Sequence, residues 1–286
     1  MNEFELFAWS PAFDLPSADP ICVTIITYLN MSGAKWTLNE CSNARISPNG
    51  QLPVLRAGLN VVGINNIIQA LKHQGFDLDS LSDPSQVIES NAFSCLIEET
   101  LFDVLLCVWW TSNQQGIPSP LRERAKQTQL LYNGKDIYSI ARDAYQALSD
   151  KLGDNQYFFG NSQPTTLDAI AVSHLSFHAY PSMADPKLFS MLAFEFPNLI
   201  QYCSRLNDSY LKTVKSPFSH RPISAIITSF IVDPLQFLNG SDTSISDSDK
   251  FKKERNVKRF WKNLSVVGSV AFFVSFVTLN NCIRAK

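Results

Sequence analysis

Two histidines in the second half of the chain have the spacing of a metal-binding pair. His174 and His178 stand one helical turn apart, so both imidazoles would lie on the same side of a helix. A zinc site needs further ligands, but no Glu follows His174 and no neighbouring Cys or Asp completes a set. We therefore expect no metal site and interpret both histidines as packed or rim residues.

The six cysteines indicate no paired thiol chemistry. They are scattered singly, with no C-x-x-C pair, at positions 22, 41, 95, 107, 203 and 282. The acidic start, Met1–Glu5, does not resemble a secretory signal. We therefore expect the body of the chain to lie in a reducing compartment.

An aspartate at the start of an apolar run is a further candidate for chemistry. Asp168 precedes Ala169–Val172 in a segment predicted to be a buried helix, where an unpaired carboxylate would cost several kcal/mol. Thr165 has the spacing of a capping box, in which its hydroxyl accepts from the Asp168 amide and the carboxylate accepts from the Thr165 amide. We therefore expect Asp168 to hold the helix start, and its loss to cost about 1–2 kcal/mol.

The N-terminal part of the chain, which would position any such site, is predicted to form a small sheet with helices. Apolar periodicity and turn residues give a strand, a helix, three strands and a second helix, at 4–9, 21–31, 35–41, 52–55, 59–63 and about 65–74. Pro53 enters the third strand, where a proline is tolerated because it lies at the strand's first residues.

The second part of the chain is predicted to be helical. Within 86–110 an apolar stripe, broken by Glu99, includes residues 88, 92, 95, 102, 106 and 109. Two further amphipathic helices are separated at Asn133–Gly134. Trp109–Trp110 could be a ligand platform, but two bulky residues at a helix end more often serve packing, which we favour.

Charge is divided unevenly along the chain. Residues 250–286 hold nine of the 24 basic residues and one of the 26 acidic ones, which leaves residues 1–249 with a net charge of −10. The stretch 238–250 is rich in Ser, Asp and Gly, so we predict a flexible and then basic linker over 238–262. Its basic cluster suits anionic lipid head groups, and nucleic-acid binding is not expected.

Residues 263–283 are predicted to span a membrane. These 21 uncharged residues would extend about 31 Å as a helix, close to a hydrocarbon thickness of roughly 30 Å. A buried core helix is the alternative, but apolar residues occur all round the segment. The anchor residues are Leu264, Val266, Val267, Val270, Phe272, Phe273, Val274, Phe276, Val277 and Leu279, flanked by Lys258, Arg259, Lys262, Arg284 and Lys286. The modest hydrophobicity and basic flanks are typical of mitochondrial outer-membrane tail anchors.

Two stretches resemble the glutathione-transferase-like fold: Leu52–Leu55 before its hairpin and helix, and Tyr157–Phe177 with its Thr-x-x-Asp helix start. The resemblance implies an α/β thioredoxin-like domain at 1–78 and an all-α domain at 79–237, followed by the linker and the transmembrane helix. It also implies that Pro53 is cis, and it gives structural roles to Pro53, Gly160, Thr165 and Asp168.

The same resemblance shows where glutathione chemistry would take place. It requires a hydroxyl or thiol after the first strand, for which Ser10 and Ser17 are available, and a Glu/Gln–Ser pair at the hairpin exit. This chain has Ile64–Asn65 at that exit, which would leave the amine and carboxylate of glutathione poorly paired. We therefore expect no catalysis and no cofactor, with a tail-anchored glutathione-dependent transferase as the alternative.

Three motifs and the anchor together resemble the metaxins and their fungal counterparts. The motifs are FAWSPAFDLPSADPICVTIITYLNMSGAKWTL, SPNGQLPVL and FFGNSQPTTLDAIAVSHL, and the resemblance covers about residues 4–210. It implies a membrane-anchored, non-enzymatic subunit of the mitochondrial sorting and assembly machinery, on the cytosolic face of the outer membrane. The implied partners are a second metaxin-like subunit, a barrel-forming core subunit, β-barrel precursors and membrane lipids.

Overall fold

The computed structural model describes residues 4–12, 15–41, 44–47, 49–112, 121–160, 162–179 and 185–212. All of them belong to the first of two units, Met1–Leu238 and Asn239–Lys286. The predicted linker over 238–262 and the predicted span over 263–283 lie outside these residues. Within the described ranges, none of the helices has both the length and the apolar character needed to cross a bilayer.

The N-terminal part contains a four-stranded mixed sheet. Its strands are β1 (Phe4–Ala8), β2 (Trp36–Glu40), β3 (Val54–Ala57) and β4 (Asn60–Gly63), in the spatial order β2-β1-β3-β4. β1 pairs in parallel with β2 and antiparallel with β3, and β3 pairs antiparallel with β4. Helices α1 (Pro20–Met31) and α2 (Ile67–His73) complete what we call the sheet lobe.

The predicted order of elements in the sheet lobe is confirmed. The helix predicted over 65–74 begins as a short 3₁₀ turn, Ile64–Asn66, before α2. The hairpin between β3 and β4 turns at Gly58, whose φ of +62° favours glycine. The Leu52–Pro53 peptide bond is cis, as the resemblance implied, and β3 begins directly after it.

The remaining helices form the helical lobe. They are α3 (Pro84–Cys95), α4 (Phe102–Ser112), α5 (Arg122–Leu131), α6 (Ile137–Leu152), α7 (Thr166–Ala179), α8 (Pro186–Glu195) and α9 (Pro197–Tyr210). Helix α7 is buried along nearly its whole length and packs on α1 of the sheet lobe. It is therefore the central helix that the apolar run after Asp168 predicted.

The single apolar stripe predicted within 86–110 is wrong in its first half. Ile88, Ala92 and Cys95 are exposed, whereas Phe102, Leu106 and Trp109 are buried. A π-helical turn, Leu96–Leu101, joins α3 to α4 at the Glu99 that interrupts the pattern. A π turn holds more residues than an α turn, so it changes the helical phase. The apolar residues of α3 therefore point to a different side from those of α4.

Candidate functional site

The first candidate serine is exposed and the second is buried. Ser10 follows β1, and its carbonyl accepts a hydrogen bond from the Ala18 amide at 3.0 Å, which closes the loop between β1 and α1. Ser17 has no exposed surface, and its hydroxyl oxygen accepts from the Asp19 amide at 3.4 Å. Ser17 is thus part of the turn that starts α1.

Asp19 is the N-cap of α1, a role that the sequence reasoning missed. Its carboxylate accepts from the Cys22 amide at 2.9 Å, and Pro20 occupies the first helical position. Burial raises the pKa of Asp19 and raises the pKa of the Cys22 thiol well above its ordinary value. Cys22 therefore stays protonated at neutral pH and is not an activated nucleophile.

The hairpin exit holds no charged group to receive the γ-glutamyl end of glutathione. Gly63 ends β4, Ile64 is half-buried and Asn65 is exposed on the 3₁₀ turn that follows. An isoleucine side chain neither donates nor accepts a hydrogen bond, so Ile64 cannot replace the Glu or Gln that would receive the amine. The geometry at this exit thus disfavours a glutathione site.

Asp168 is fully buried and is surrounded by donors. Its Oδ2 accepts from the Thr165 amide and hydroxyl, each at 2.8 Å, and its Oδ1 accepts from the Phe158 amide at 3.0 Å and the Tyr202 hydroxyl at 2.9 Å. Burial raises the pKa of the carboxyl group, and the four hydrogen bonds oppose that effect. The carboxylate therefore joins α7 to α9 and to the turn before α7.

One detail of the expected capping box is wrong. The bond from the Thr165 amide to the carboxylate is present, but the Thr165 hydroxyl donates to the same carboxylate instead of accepting from the Asp168 amide. A buried anion is the stronger acceptor, so the hydroxyl proton turns towards it.

Gly160 closes the turn that presents the Phe158 amide to Asp168. Its φ is +118°, a region that residues with a Cβ rarely adopt, and it exchanges two backbone hydrogen bonds with Tyr157. The aromatic ring of Phe158 packs at 5.4 Å from that of Tyr202, measured between centroids. Gly160 and Phe158 thus both have structural roles in this turn.

Both histidines of the suspected metal pair are buried in the helical lobe. His174 packs edge-on against Phe102 with ring centroids 5.4 Å apart, and His178 Nδ1 lies 2.6 Å from the Tyr145 hydroxyl. Burial lowers the pKa of His174 to about 3 and that of His178 to about 4, so both rings are neutral at pH 7. Within the described ranges, no three His, Cys, Asp or Glu side chains are grouped to hold a metal ion.

Trp109 is packed rather than presented to a ligand. It is buried and lies edge-on to Phe177, with ring centroids 6.0 Å apart, where the helical lobe meets the sheet lobe. The side chain of Trp110 lies outside what the structure describes. Phe177 and His178 are also buried.

Polar contacts join the two lobes, and the sequence reasoning missed them. Asp79, just beyond the sheet lobe, accepts from the Thr166 amide at 2.9 Å and from its hydroxyl at 2.6 Å, and pairs with Lys72 at 2.6 Å. Burial alone would raise the pKa of Asp79, but Lys72 and Thr166 together hold it below its ordinary value. A second, buried contact joins the hydroxyls of Thr27 and Ser173 at 3.1 Å.

Two family models match the chain. One is described as "Outer mitochondrial membrane transport complex protein" and matches residues 22–116, and the other is described as "Glutathione S-transferase, C-terminal domain" and matches residues 141–206. The first runs from within α1 past the end of α4, and the second runs from within α6 to within α9.

Curated relatives match over most of the chain. Metaxin-1 of Mus musculus is 29% identical over 238 residues, which cover 72% of this chain and 74% of that protein. The Metaxin-1 homolog of Caenorhabditis briggsae is 27% identical with the same coverage. A protein of Arabidopsis thaliana named "Mitochondrial outer membrane import complex protein METAXIN" is 27% identical, covering 80% of this chain and 79% of its own.

Solved structures share the fold at low identity. A glutathione transferase of Phanerochaete chrysosporium superposes with a TM-score of 0.56 at 13% identity, covering 73% of this chain and 99% of its own. A rice enzyme in complex with glutathione gives 0.51 at 18% identity, covering 79% and 98%. These structures support the glutathione-transferase-like fold, and the family model and the relatives show that this chain is similar to the metaxins.

Proposed function

We propose that this protein is a non-enzymatic subunit of a mitochondrial outer-membrane import and assembly complex. The observation that carries the proposal is the hairpin exit, where Ile64 and Asn65 stand in place of the Glu/Gln–Ser pair that would bind glutathione, in a chain similar to metaxins. Its body would face the cytosol and assist the insertion of β-barrel precursors. Among the described residues after β1, a buried serine and a protonated cysteine suit a binding role rather than chemistry.

The geometry after β1 supports the same proposal. Ser17 is buried in the turn that starts α1, and Cys22 is held protonated by burial. A transferase would need a hydroxyl or thiol exposed to the sulfur of glutathione. Among the described residues of this loop, Ser10 is the hydroxyl-bearing residue that is exposed. A tail-anchored glutathione-dependent transferase therefore remains the second candidate, and it depends on Ser10.

We further propose the domain organisation that attaches the body to its membrane: sheet lobe to about residue 78, helical lobe to about 237, linker over 238–262 and anchor over 263–283. The support is the 21-residue uncharged stretch with basic flanks, Lys258, Arg259 and Lys262 on one side and Arg284 and Lys286 on the other. The first group would stay on the cytosolic side and contact lipid head groups.

The anchor has a direct test in cells. An arginine at the middle of a spanning helix costs about 2.5–3.5 kcal/mol of insertion free energy, so Phe273→Arg should release the protein from mitochondria. Phe273→Leu should leave its location unchanged. Mitochondrial retention of the Arg variant would contradict the anchor and leave the assembly role to be judged separately.

The proposed partners are a barrel-forming core subunit, a second metaxin-like subunit and β-barrel precursors. Purification of the tagged full-length protein in mild detergent, with mass spectrometry of the copurifying chains, tests all three. Recovery of the core subunit with a second glutathione-transferase-like chain is the expected result. Recovery of the protein alone would overturn the assembly role.

Binding to glutathione-agarose tests the second candidate on the same preparation. We expect no specific retention of the full-length protein, with a glutathione transferase as the positive control. Retention that free glutathione elutes, and that Ser10→Ala reduces, would establish the transferase instead.

A further inference from the structure

The end of α9 reaches back from the helical lobe to the sheet lobe. Tyr210 is the last residue of α9, and its carbonyl accepts a hydrogen bond from Nδ2 of Asn30 at 2.5 Å. Asn30 lies in the last turn of α1. Leu211, the next residue, is 5% exposed and belongs to the buried apolar cluster that contains the strands of the sheet lobe. Residues 207–212, which we call the α9 strap, therefore contact both lobes.

The orientation of the Asn30 amide follows from the chemistry of its two partners. Its Oδ1 accepts from Nε1 of Trp36 in β2 at 2.9 Å. An indole nitrogen can only donate and a carbonyl can only accept, so the amide oxygen must face Trp36 and the amide nitrogen must face Tyr210. Trp36 therefore holds Asn30 in the orientation that binds the strap.

The start of the strap is fixed to the central helix. Asn207 is buried, and its Nδ2 donates to the Ser176 hydroxyl of α7 at 2.9 Å. The amides of Leu211 and Lys212 both donate to the Asn207 carbonyl, at 2.9 Å and 3.0 Å. The strap therefore starts from a buried contact in the helical lobe and ends on the sheet lobe, and these two amides report whether its turn is intact.

The contact of the strap with the sheet lobe is weaker than the contacts that hold the lobes together. Asn30 and Tyr210 are half-buried, whereas Asn207 and Ser176 are buried. The lobes are joined by the packing of α1 on α7 and by the contact between Asp79 and the first amide of α7. Contacts at a helix end open locally at a lower free energy than packed core helices do. Detachment of the strap should therefore need less free energy than separation of the lobes.

We propose that the α9 strap detaches from the sheet lobe and returns to it while the two lobes stay packed together, and that Asn30 holds it closed. In the closed state the hydrogen bond from Asn30 fixes where the chain leaves the sheet lobe. In the open state the last turn of α9 is released from Asn30. This inference goes beyond the proposed function and does not depend on it.

Amide hydrogen exchange of the full-length protein in mild detergent, followed by mass spectrometry, tests the strap. In Asn30→Asp at pH 7 the side chain still accepts from Trp36, but it offers the Tyr210 carbonyl no donor. We expect the amides of the strap to exchange about tenfold faster than in the parent, while those of α7 keep the parent's rates. The matched control Asn91→Asp introduces the same charge at an exposed position of α3 and should leave the strap unchanged.

Trp36→Phe is a milder variant that reaches the strap through Asn30. It keeps an aromatic ring in β2 but removes the indole donor that orients the Asn30 amide. The same strap amides should exchange about threefold faster than in the parent, because Asn30 can then turn its nitrogen away from Tyr210. This variant decides the question if Asn30→Asp does not fold.

Three exchange results would overturn the proposal. Strap amides that exchange at the parent's rate in both variants would show that Asn30 does not hold the strap. Equal acceleration in the strap and in α7 would show that the strap opens only when the lobes separate. Equal acceleration throughout the body, including α6, would show a general loss of stability.

Discussion

His174 should make the protein unstable in mild acid, and His174→Leu should remove part of that sensitivity. The imidazole is buried against Phe102, and neither ring nitrogen has a hydrogen-bond partner among the described residues. Leucine is of similar volume and brings no polar atom into this site. At pH 7 we therefore expect the variant to be as stable as the parent or slightly more stable.

The size of the acid effect follows from the pKa difference. An unfolded histidine titrates near 6.5, whereas burial lowers the pKa of folded His174 to about 3. Between these values the unfolded chain binds a proton that the folded chain does not, so stability falls as the pH falls. Between pH 7 and pH 5 the loss due to His174 amounts to about 2 kcal/mol.

Neighbouring groups do not remove this difference. Burial lowers the pKa of His178 to about 4, so His178 also reduces the stability of both parent and variant as the pH falls. Burial raises the pKa of Asp19 and of Asp168, so these two groups stabilise the folded protein as the pH falls. All three are common to parent and variant, so comparison of the two proteins isolates His174.

Denaturant unfolding at pH 7 and pH 5, followed by circular dichroism, measures the effect. The parent should lose about 2 kcal/mol more than His174→Leu over this range. The control His73→Leu, at an exposed histidine of α2, should keep the parent's pH dependence. Equal losses in the parent and in the His174 variant would refute the reasoning.

Three further substitutions test the polar contacts of the body. Asp168→Ala should lower the free energy of unfolding by about 3 kcal/mol, because the Phe158 amide and the Tyr202 hydroxyl lose their buried acceptor. Asp79→Ala should cost about 1–2 kcal/mol at pH 7, because the Thr166 amide loses its cap. Its deficit should shrink as the pH falls through the depressed pKa of Asp79, since the parent then loses the same contact. Gly160→Ala should cost about 1–3 kcal/mol because of its positive φ. Denaturant unfolding measures all three.

Each of these substitutions has a matched control. Asp185→Ala removes the cap of α8 at a half-buried position and should cost less than Asp168→Ala, whose carboxylate is fully buried. Asp77→Ala removes a 3.3 Å contact to Lys72 and the acceptor of the Asp79 amide, but it removes no acceptor from α7. A cost equal to that of Asp79→Ala would therefore contradict the capping role. Gly63→Ala should be tolerated because the φ of Gly63 is negative. If Gly160→Ala costs no more than Gly63→Ala, the backbone strain expected at Gly160 is absent.

The sequence predicted contacts between neighbours and missed contacts between distant residues. The bond between Thr165 and Asp168 could be inferred because three residues separate the two. Phe158 and Tyr202 lie 10 and 34 residues from Asp168, so nothing local pointed to them. The local cap alone would make Asp168→Ala cost about 1–2 kcal/mol, and the two distant donors raise the expected cost to about 3 kcal/mol.

Two other differences have separate causes. The Asp-Pro pairs that begin α1, α3 and α8 are a local signal of N-cap and first helical residue, so these caps could have been predicted. The π-helical turn at Leu96–Leu101 has no comparable signal beyond the polar interruption at Glu99. The apolar residues of α3 therefore have the predicted spacing, but they lie on the exposed side of the helix instead of the buried side.

The contact between Asp79 and Thr166 bears on how the body carries mechanical load. The first amide of the central helix α7 is held by a carboxylate just beyond the sheet lobe, 87 residues earlier in the chain. Movement of α7 away from Asp79 would uncap the helix, while the ion pair between Asp79 and Lys72 would stay with the sheet lobe. Separation of the lobes at this point therefore costs the cap of the central helix, which opposes hinging here.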